Sequence, residues 1–336
     1  MNPQPVTLLS SLFTHFNEWL ARLQLGFERW PLRWQLRNVW IWLRVQTTRA
    51  QPSPSHMPPL PALSDAQRER LKLYCQLAPG HVLSTSAHTA RDIHLRKHSH
   101  YAGDLLRCLY PRFLDRRFMK EFGDVNWVPA APMFVKSRPI SADNHNAVLL
   151  PLDVRRHMCF PRDPFSFETK YPCMVWRGAG YQPHRQLFLQ QASGLSCCDA
   201  GDPGLPVDHV HYRPWLSIHQ QLRFKYIISV EGNDVATNLK WIMHSNSLCL
   251  MPRPRFETWF LESRLVAGVH YAELSDDFSN LQDLFEHYEQ HPAQALAIIH
   301  QAQAYTRQFL DTSADNVLAQ HVCQAYFEAH VDAPTE

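Results

Sequence analysis

From residue 224 onward, short β-rich runs alternate with helical runs, and this alternation constrains the fold more than any other feature of the chain. The strand candidates are KYIISV, SLCLM and VHYAEL, and the helix candidates between them are DVATNLKWIMHS and RFETWFLESRL. Strands joined by helices form parallel sheets through right-handed crossovers. The pattern therefore predicts an α/β fold with a Rossmann-like domain, closed by two helices at 280–290 and 293–310.

Length, charge and cysteine content exclude several classes of protein. The chain has 336 residues, of which 45% are hydrophobic, and this predicts a large core and two domains rather than one. Its formal charge is only +2, so nucleic acid is not expected as a partner. The eight cysteines form no CxxC pair, which favours a reduced protein. No run approaches the roughly 20 apolar residues of a membrane-spanning helix, and no secretory signal is read in the first residues.

The N-terminal 50 residues interleave arginine with tryptophan at helical spacing. The tryptophans are Trp19, Trp30, Trp34, Trp40 and Trp42, and the arginines are Arg22, Arg29, Arg33, Arg37, Arg44 and Arg49. Such a segment suits a membrane interface, where indole rings lie among lipid headgroups and guanidinium groups meet lipid phosphates. It suits equally well a helical arm that packs on its own domain. The proline-rich residues 51–64 that follow are typical of a linker.

A polar turn follows the KYIISV strand and begins with Glu231. In open parallel sheets, ligands bind beyond the carboxyl ends of the strands. Gly232 permits close approach of a ligand, and Asn233 or Asp234 can cap a helix. The free backbone amides of Val235, Ala236 and Thr237 would then face a diphosphate. The turn predicts one wall of a nucleotide site, although the same residue types favour any strand-to-helix turn.

The long block EGNDVATNLKW, together with FGDV, KSRPI, NAVLLPLD and WRGAGYQPHR upstream, resembles glycosyltransferase family 90. The likeness covers roughly residues 122–310 and is greatest for the bacterial branch that modifies lipopolysaccharide. It is more distant for the protein O-glucosyltransferases. The resemblance implies a GT-B architecture, in which two Rossmann-like domains face each other across a cleft. The predicted division is a helical arm with its linker at 1–63, an acceptor-side domain at 64–205 and a nucleotide-sugar domain at 206–336.

The resemblance also implies inverting transfer without a bound metal, and the sequence has no Asp-x-Asp element to hold one. Inversion needs a carboxylate that takes the proton of the acceptor hydroxyl. Asp124 in FGDV matches the position of the base in the family, while the plain alternative is a turn-capping aspartate. Arg177 and Gly178 in WRGAG, with Arg185 in QPHR, are predicted to meet donor phosphates.

Four further residues are predicted to contact substrates. Lys136 and Arg138 in VKSRPI lie at a strand end and suit phosphates of the acceptor or the donor. Lys240 is a second candidate for the diphosphate, because related enzymes carry an arginine where this chain has Asn238. Glu257 is predicted to accept hydrogen bonds from donor hydroxyls, with an exposed glutamate at a helix start as the alternative.

These patterns predict a cytoplasmic glycosyltransferase, peripheral on the inner membrane through its N-terminal arm. The expected donor is a UDP-hexose, either glucose or galactose, and no cofactor is expected. The expected acceptor is a sugar of the lipopolysaccharide or lipooligosaccharide core. Two alternatives remain open, namely a protein O-glycosyltransferase and an inactive protein that binds a nucleotide sugar.

Overall fold

The computed structural model describes residues 30–48, 57–84, 86–95 and 99–331. Residues 51–56 of the proline-rich segment and the first part of the arm, including Trp19, Arg22 and Arg29, lie outside the described residues. All eight cysteines are free thiols. Within the described ranges, no helix is both long enough and apolar enough to cross a bilayer.

The described chain contains ten α-helices and eleven strands, numbered here in chain order. They are α1 (Trp30–Thr47), α2 (Asp65–Tyr74), β1 (His81–Val82), α3 (Ser99–Leu109), β2 (Met133–Val135), β3 (Ser137–Pro139), β4 (Ala147–Leu149), α4 (Val154–His157), β5 (Tyr171–Arg177), α5 (Pro183–Ala192), β6 (Cys198–Gly201), α6 (Ile218–Gln221), β7 (Phe224–Ile228), α7 (Leu239–His244), β8 (Leu248–Met251), β9 (Phe256–Thr258), β10 (Ala272–Glu273), α8 (Leu281–Gln290), α9 (Pro292–Thr306), α10 (Thr312–Glu328) and β11 (His330–Val331). Four short 3₁₀ turns lie between them.

The central sheet has five strands in the order β10-β8-β7-β5-β6, and every neighbouring pair is parallel. Successive side chains of a strand point to opposite faces. Val175, Ile227 and Cys249 therefore enter one core, whereas Trp176 and Tyr226 enter a second core with α5, α8 and α9. Burial of both faces explains why these strands read as continuous apolar runs. The predicted α/β fold with a parallel, Rossmann-like sheet is confirmed.

The central sheet takes strands from both sides of the domain boundary predicted at residue 205. Strands β5 and β6 precede that residue, and β7, β8 and β10 follow it. The remaining strands form three two-stranded sheets, β1-β11, β2-β4 and β3-β9. Two of these sheets join the N-terminal and C-terminal parts of the described chain. The arrangement of two Rossmann-like domains across a cleft stays a prediction.

Helix α1, the later part of the arginine- and tryptophan-rich arm, packs against α3. Its buried Asn38 accepts a hydrogen bond from Arg107 Nη1 at 3.1 Å, and a Cβ added at Gly103 would lie 2.2 Å from the same oxygen of Asn38. Trp42 Nε1 donates to the carbonyl oxygen of Ile93 at 3.1 Å. Helix α1 thus packs on the rest of the described chain, which is one of the two alternatives predicted for the arm.

Local sequence signals predict some elements correctly and others not. Helix α2 carries the full capping box expected of its sequence, with Ser64 and Gln67 bonding each other's backbone amides. The helix predicted for RFETWFLESRL is wrong. Its first part is strand β9, which follows two prolines and pairs antiparallel with β3. The helix predicted from Asp234 begins instead at Leu239, after a turn.

Candidate active site

The candidate site lies beyond the carboxyl ends of β5 and β7, where the loops after both strands meet. Arg185, in the first turn of α5, joins these loops. It donates from Nε to the carbonyl oxygen of Glu231 and from Nη2 to that of Val230, both at 2.8 Å. Its Nη1 donates to the carbonyl oxygen of Ala179 at 2.9 Å. The location agrees with the rule that parallel sheets bind ligands at this edge.

A buried lysine holds the carboxylate that was predicted to be the base. Lys136 is 1% exposed, and its Nζ lies 2.7 Å from Asp124 Oδ1 and 2.7 Å from Asp234 Oδ2. The side chain of Asp234 is buried as well, whereas that of Asp124 is 35% exposed. Only one of the two carboxylates paired with this lysine therefore reaches solvent.

The ionisation of these groups follows from their surroundings. Burial by itself would raise the pKa of Asp124, but the charge and hydrogen bond of Lys136, together with Asn233, hold that pKa below its ordinary value. For Asp234, burial dominates and raises the pKa despite Lys136. Burial likewise opposes the charge of Lys136, yet the carboxylates and Tyr101 keep its pKa above the ordinary value. Asp124 is thus the ionised carboxylate that faces solvent at neutral pH.

Asn233 connects this carboxylate to the loop after β5. Its Nδ2 lies 3.4 Å from Asp124 Oδ2 and 3.3 Å from the hydroxyl of Tyr181. Its backbone oxygen accepts a hydrogen bond from Asn126 Nδ2 at 3.1 Å. Beside it, a Cβ added at Gly232 would stand 3.4 Å from Arg185 Nη2. The glycine keeps open the space over the guanidinium group.

Arg185 differs in its partners from the other arginines that were predicted to bind phosphate. It makes its three hydrogen bonds to neutral carbonyl oxygens, and within the described chain no carboxylate forms an ion pair with it. Burial lowers its pKa, although the neighbouring Tyr181 and Asp202 oppose the shift. A fixed, partly desolvated guanidinium group without an anionic partner favours an anionic ligand.

Several side chains that are predicted to contact substrates form bonds inside the protein. Arg177 Nη2 donates to both carboxylate oxygens of Asp199, at 2.9 and 2.8 Å, and Nε donates to the carbonyl oxygen of Pro214. The position of Gly178 has no room for a larger residue, because a Cβ there would lie 2.6 Å from the ring of Trp176. Arg177 is therefore an internal brace of the loop after β5.

Arg138 and Glu257, both predicted to touch substrates, pair with each other in the core. The carboxylate accepts from Arg138 Nε at 2.8 Å, and both side chains are almost fully buried. The remaining guanidinium donors bond the carbonyl oxygens of Leu73 and Ala147. This cluster joins β3 and β9 to their neighbours, and it leaves no group for a ligand.

Lys240 is also internal, since its Nζ lies 2.5 Å from Glu262 Oε1 and both side chains are 1% exposed. Lys136 has no access to a substrate phosphate for a similar reason. The side chains of Val235 and Ala236 are buried. Their amides belong to a turn, and α7 has six residues that start at Leu239, so the predicted helix N-terminus is not at this place.

Sequence reasoning missed a second cation at the site. Arg156 is half exposed, and its Nη1 lies 3.1 Å from Asp153 Oδ2 while its Nη2 lies 3.5 Å from Thr237 Oγ1. Its charge contributes to the low pKa of Asp124. Asp153 has φ 54° and ψ 42°, an uncommon backbone conformation that Asp tolerates better than most residues. The available signal was the position of Arg156, three residues after the NAVLLPLD block.

Two exposed aromatic rings near Asp124 were missed as well. Trp127 follows Asp124 by three residues and is half exposed. The Asn233 side-chain amide lies within hydrogen-bond distance of both Asp124 and the hydroxyl of Tyr181.

Within the described residues, no group of three or more His, Cys, Asp or Glu side chains is arranged to hold a metal ion. The site combines the open carboxylate of Asp124 with the cations of Arg185 and Arg156.

The fold is that of an α/β protein with a parallel central sheet, and the candidate site lies at the carboxyl edge of that sheet. The family model "Glycosyl transferase family 90" matches residues 156–332, more than half of the chain. The chain is also 43% identical over 266 residues to a protein of Dichelobacter nodosus described as "O-glucosyltransferase LpsA". That alignment covers 79% of this chain and 84% of the relative. The chain therefore belongs to glycosyl transferase family 90 and is a glycosyltransferase, which confirms the predicted resemblance.

Proposed function

We propose that this enzyme moves a glucose residue from UDP-glucose to a sugar hydroxyl of a lipopolysaccharide or lipooligosaccharide core, with inversion and without a metal ion. The observation that carries the proposal is the Asp124 carboxylate. It is open to solvent, kept ionised by a buried lysine and adjacent to the Arg185 loop. The name of the Dichelobacter nodosus relative supports glucose, and the family resemblance supports the UDP donor.

In the proposed reaction, Asp124 takes the proton of the acceptor hydroxyl as its oxygen attacks the anomeric carbon. The new bond forms on the face opposite the donor oxygen, and the bond from the anomeric carbon to the β-phosphate oxygen breaks. The negative charge that develops on UDP is met by Arg185 and Arg156. The amide of Asn233 orients the carboxylate by its hydrogen bond.

The acceptor sugar is proposed to lie on the aromatic side of the site. Trp127 is half exposed and follows Asp124 by three residues, and the hydroxyl of the exposed Tyr181 lies 3.3 Å from the Asn233 amide that contacts the carboxylate. Aromatic faces pack well against the apolar faces of ring-shaped ligands, while the polar rim of the site hydrogen-bonds their hydroxyls. This places the attacking hydroxyl between the rings and Asp124.

The decisive experiment measures UDP release from UDP-glucose and UDP-galactose with purified core lipooligosaccharide. For Asp124→Asn we expect acceptor-dependent release to fall by about 10²- to 10⁴-fold while UDP still binds. Asp143→Asn, an exposed aspartate, is the matched control and should keep full activity. Activity of the Asp124 variant near that of the control would assign the base to another carboxylate. Nucleotide binding without turnover of any donor would remove the proposed reaction.

We also propose that the enzyme is cytoplasmic and contacts the inner membrane surface through its arm. Helix α1 exposes Val39 and Leu43 on the side away from α3. In the full chain, Val39→Asp combined with Leu43→Asp should lower flotation with anionic vesicles and leave donor hydrolysis unchanged. Vesicle binding that stays the same in the double variant would remove this part of the proposal.

A further inference from the structure

A second cavity lies at the opposite edge of the central sheet, near the amino-terminal ends of β5 and β8. Its volume is about 370 Å³, and it is lined by Phe160, Arg162, Asp163, His244, Asn246, Gln303 and Arg307. Pockets for small organic ligands span about 300–1,000 Å³. The length of the strands, at about 3.3 Å per residue, separates this cavity from the candidate active site.

The charge on the cavity wall is positive once internal pairs are subtracted. The buried carboxylate of Asp163 is 2.7 Å from the fully buried Lys170 Nζ and accepts a hydrogen bond from the Asn246 amide at 2.8 Å. Its negative charge is thus compensated within the protein. Arg162 and Arg307 are exposed, and neither forms an ion pair or a side-chain hydrogen bond with any described residue.

The charged groups of the wall that have no partner among the described residues, Arg162 and Arg307, are hydrogen-bond donors. Gln303 Nε2 already donates to the Ser245 carbonyl oxygen and to Asn246 Oδ1. The ring centroids of His244 and Phe160 are 5.6 Å apart, and the two rings pack edge to face. The His244 ring forms no hydrogen bond with the described residues. Burial lowers the pKa of His244, so its neutral ring offers a single N–H. Two guanidinium groups and one imidazole N–H match an acceptor-only anion such as a phosphate.

We propose that this cavity binds the phosphate group of a small phosphate monoester, such as a sugar phosphate, with Arg162 and Arg307 on its oxygens and the sugar against Phe160. The cavity is of the size that such a ligand needs, and arginine is the side chain best suited to bidentate contacts with phosphate. The site is separate from the carboxylate and cations of the proposed transfer reaction, and it does not depend on the identity of the donor.

The test is calorimetric titration of the full-length enzyme with inorganic phosphate and with glucose 1-phosphate. Arg162→Ala combined with Arg307→Ala should weaken binding of both at least tenfold. Arg68→Ala combined with Lys72→Ala removes the same charge from exposed positions of α2 and should leave binding unchanged. Both double variants should melt at the wild-type temperature, because all four side chains lie at the surface.

Glucose 1-phosphate that binds more tightly than inorganic phosphate supports a sugar phosphate. Equal affinity of the two, lost only in the Arg162/Arg307 variant, supports a site for the phosphate group alone. Flotation with phosphatidylglycerol vesicles distinguishes a lipid headgroup as the source, since this binding would fall in the same variant. The proposal is overturned if no probe binds saturably, or if the two double variants lose binding equally.

Discussion

Lys136 and Lys240 are two buried lysines with different consequences for the protein. Both are 1% exposed and both pair with carboxylates. The partner of Lys240 is Glu262, which is equally buried, so that pair is closed to solvent. Lys136 holds two carboxylates, and one of them, Asp124, is open on its far side. A buried charge thus serves the fold alone when its partners are internal, and it can serve chemistry when a partner reaches the surface.

The largest expected effect tests the open cluster. Lys136→Met leaves two carboxylates without their cation, and removing one partner of a buried ion pair costs about 3–5 kcal/mol of unfolding free energy. Because Lys136 lowers the pKa of Asp124, its loss should raise that pKa and move the acid limb of the kcat/KM profile to higher pH. Urea unfolding and pH–rate profiles measure the two effects. An acid limb that stays in place would break the assignment of Asp124 as the base.

The closed pair should respond differently to the same substitution. Lys240→Met is expected to cost a similar free energy of unfolding, about 3–5 kcal/mol. At a temperature where the variant is folded, its kcat/KM profile should keep the wild-type acid limb, because the low pKa of Asp124 is caused by Lys136, Asn233 and Arg156 and not by Lys240. Adding Glu262→Gln should recover part of the stability. A shifted pH profile in Lys240→Met would show that Lys240, like Lys136, affects the ionisation of the proposed base.

A smaller effect is expected when the guanidinium group at the site is changed. Arg185→Lys keeps a positive charge but loses the fork that bonds three carbonyl oxygens. The KM for the donor should rise about tenfold, the worth of one hydrogen bond to a charged group, with a smaller change in kcat. Arg177→Lys is the informative control. It should reduce stability more than donor affinity, because Arg177 is paired with Asp199.

The smallest expected effect concerns Gly232. A Cβ there would stand 3.4 Å from Arg185 Nη2, an ordinary contact with a side chain that can shift slightly. Gly232→Ala should raise the donor KM by roughly two- to threefold, near 0.5 kcal/mol, with unchanged unfolding free energy. Initial rates at varied UDP-sugar concentration give the answer. A loss as large as that of Arg185→Lys would mean that the ligand itself occupies the space above the glycine.

The sequence predicted the fold best where signals are local. The apolar runs of β7 and β8, the capping box of α2 and the helices near 281–306 could all be read from neighbouring residues. Asp124 and Asn233, both predicted from the family resemblance to belong to the site, lie within hydrogen-bond distance of each other, and their roles stay predictions. The failures were residues whose surroundings come from distant segments. Strand β9 looked helical because its pairing with β3 is not encoded in its own periodicity.

The internal pairing of several predicted ligand residues could not be read from the sequence for the same reason. Arg138 meets Glu257, 119 residues away, and Lys240 meets Glu262. A charged residue at a strand end looks free until the segment that carries its counter-ion is folded against it. The sequence did not indicate Arg156 as a residue of the site. Its exposure and its approach to Thr237 arise only when α4 packs beside the loop after β7.

The sequence alone determined the alternation of strands and helices and the family, because these depend on local periodicity and on ordered motifs. Only the tertiary structure decided which charges remain available. Burial makes an unpaired charge costly, so folding pairs most of the ions with partners far along the chain. Asp124 and Arg156 are paired but keep part of their side chains open to solvent, and Arg185 bonds only neutral carbonyl oxygens. These are the charges that we propose a substrate uses.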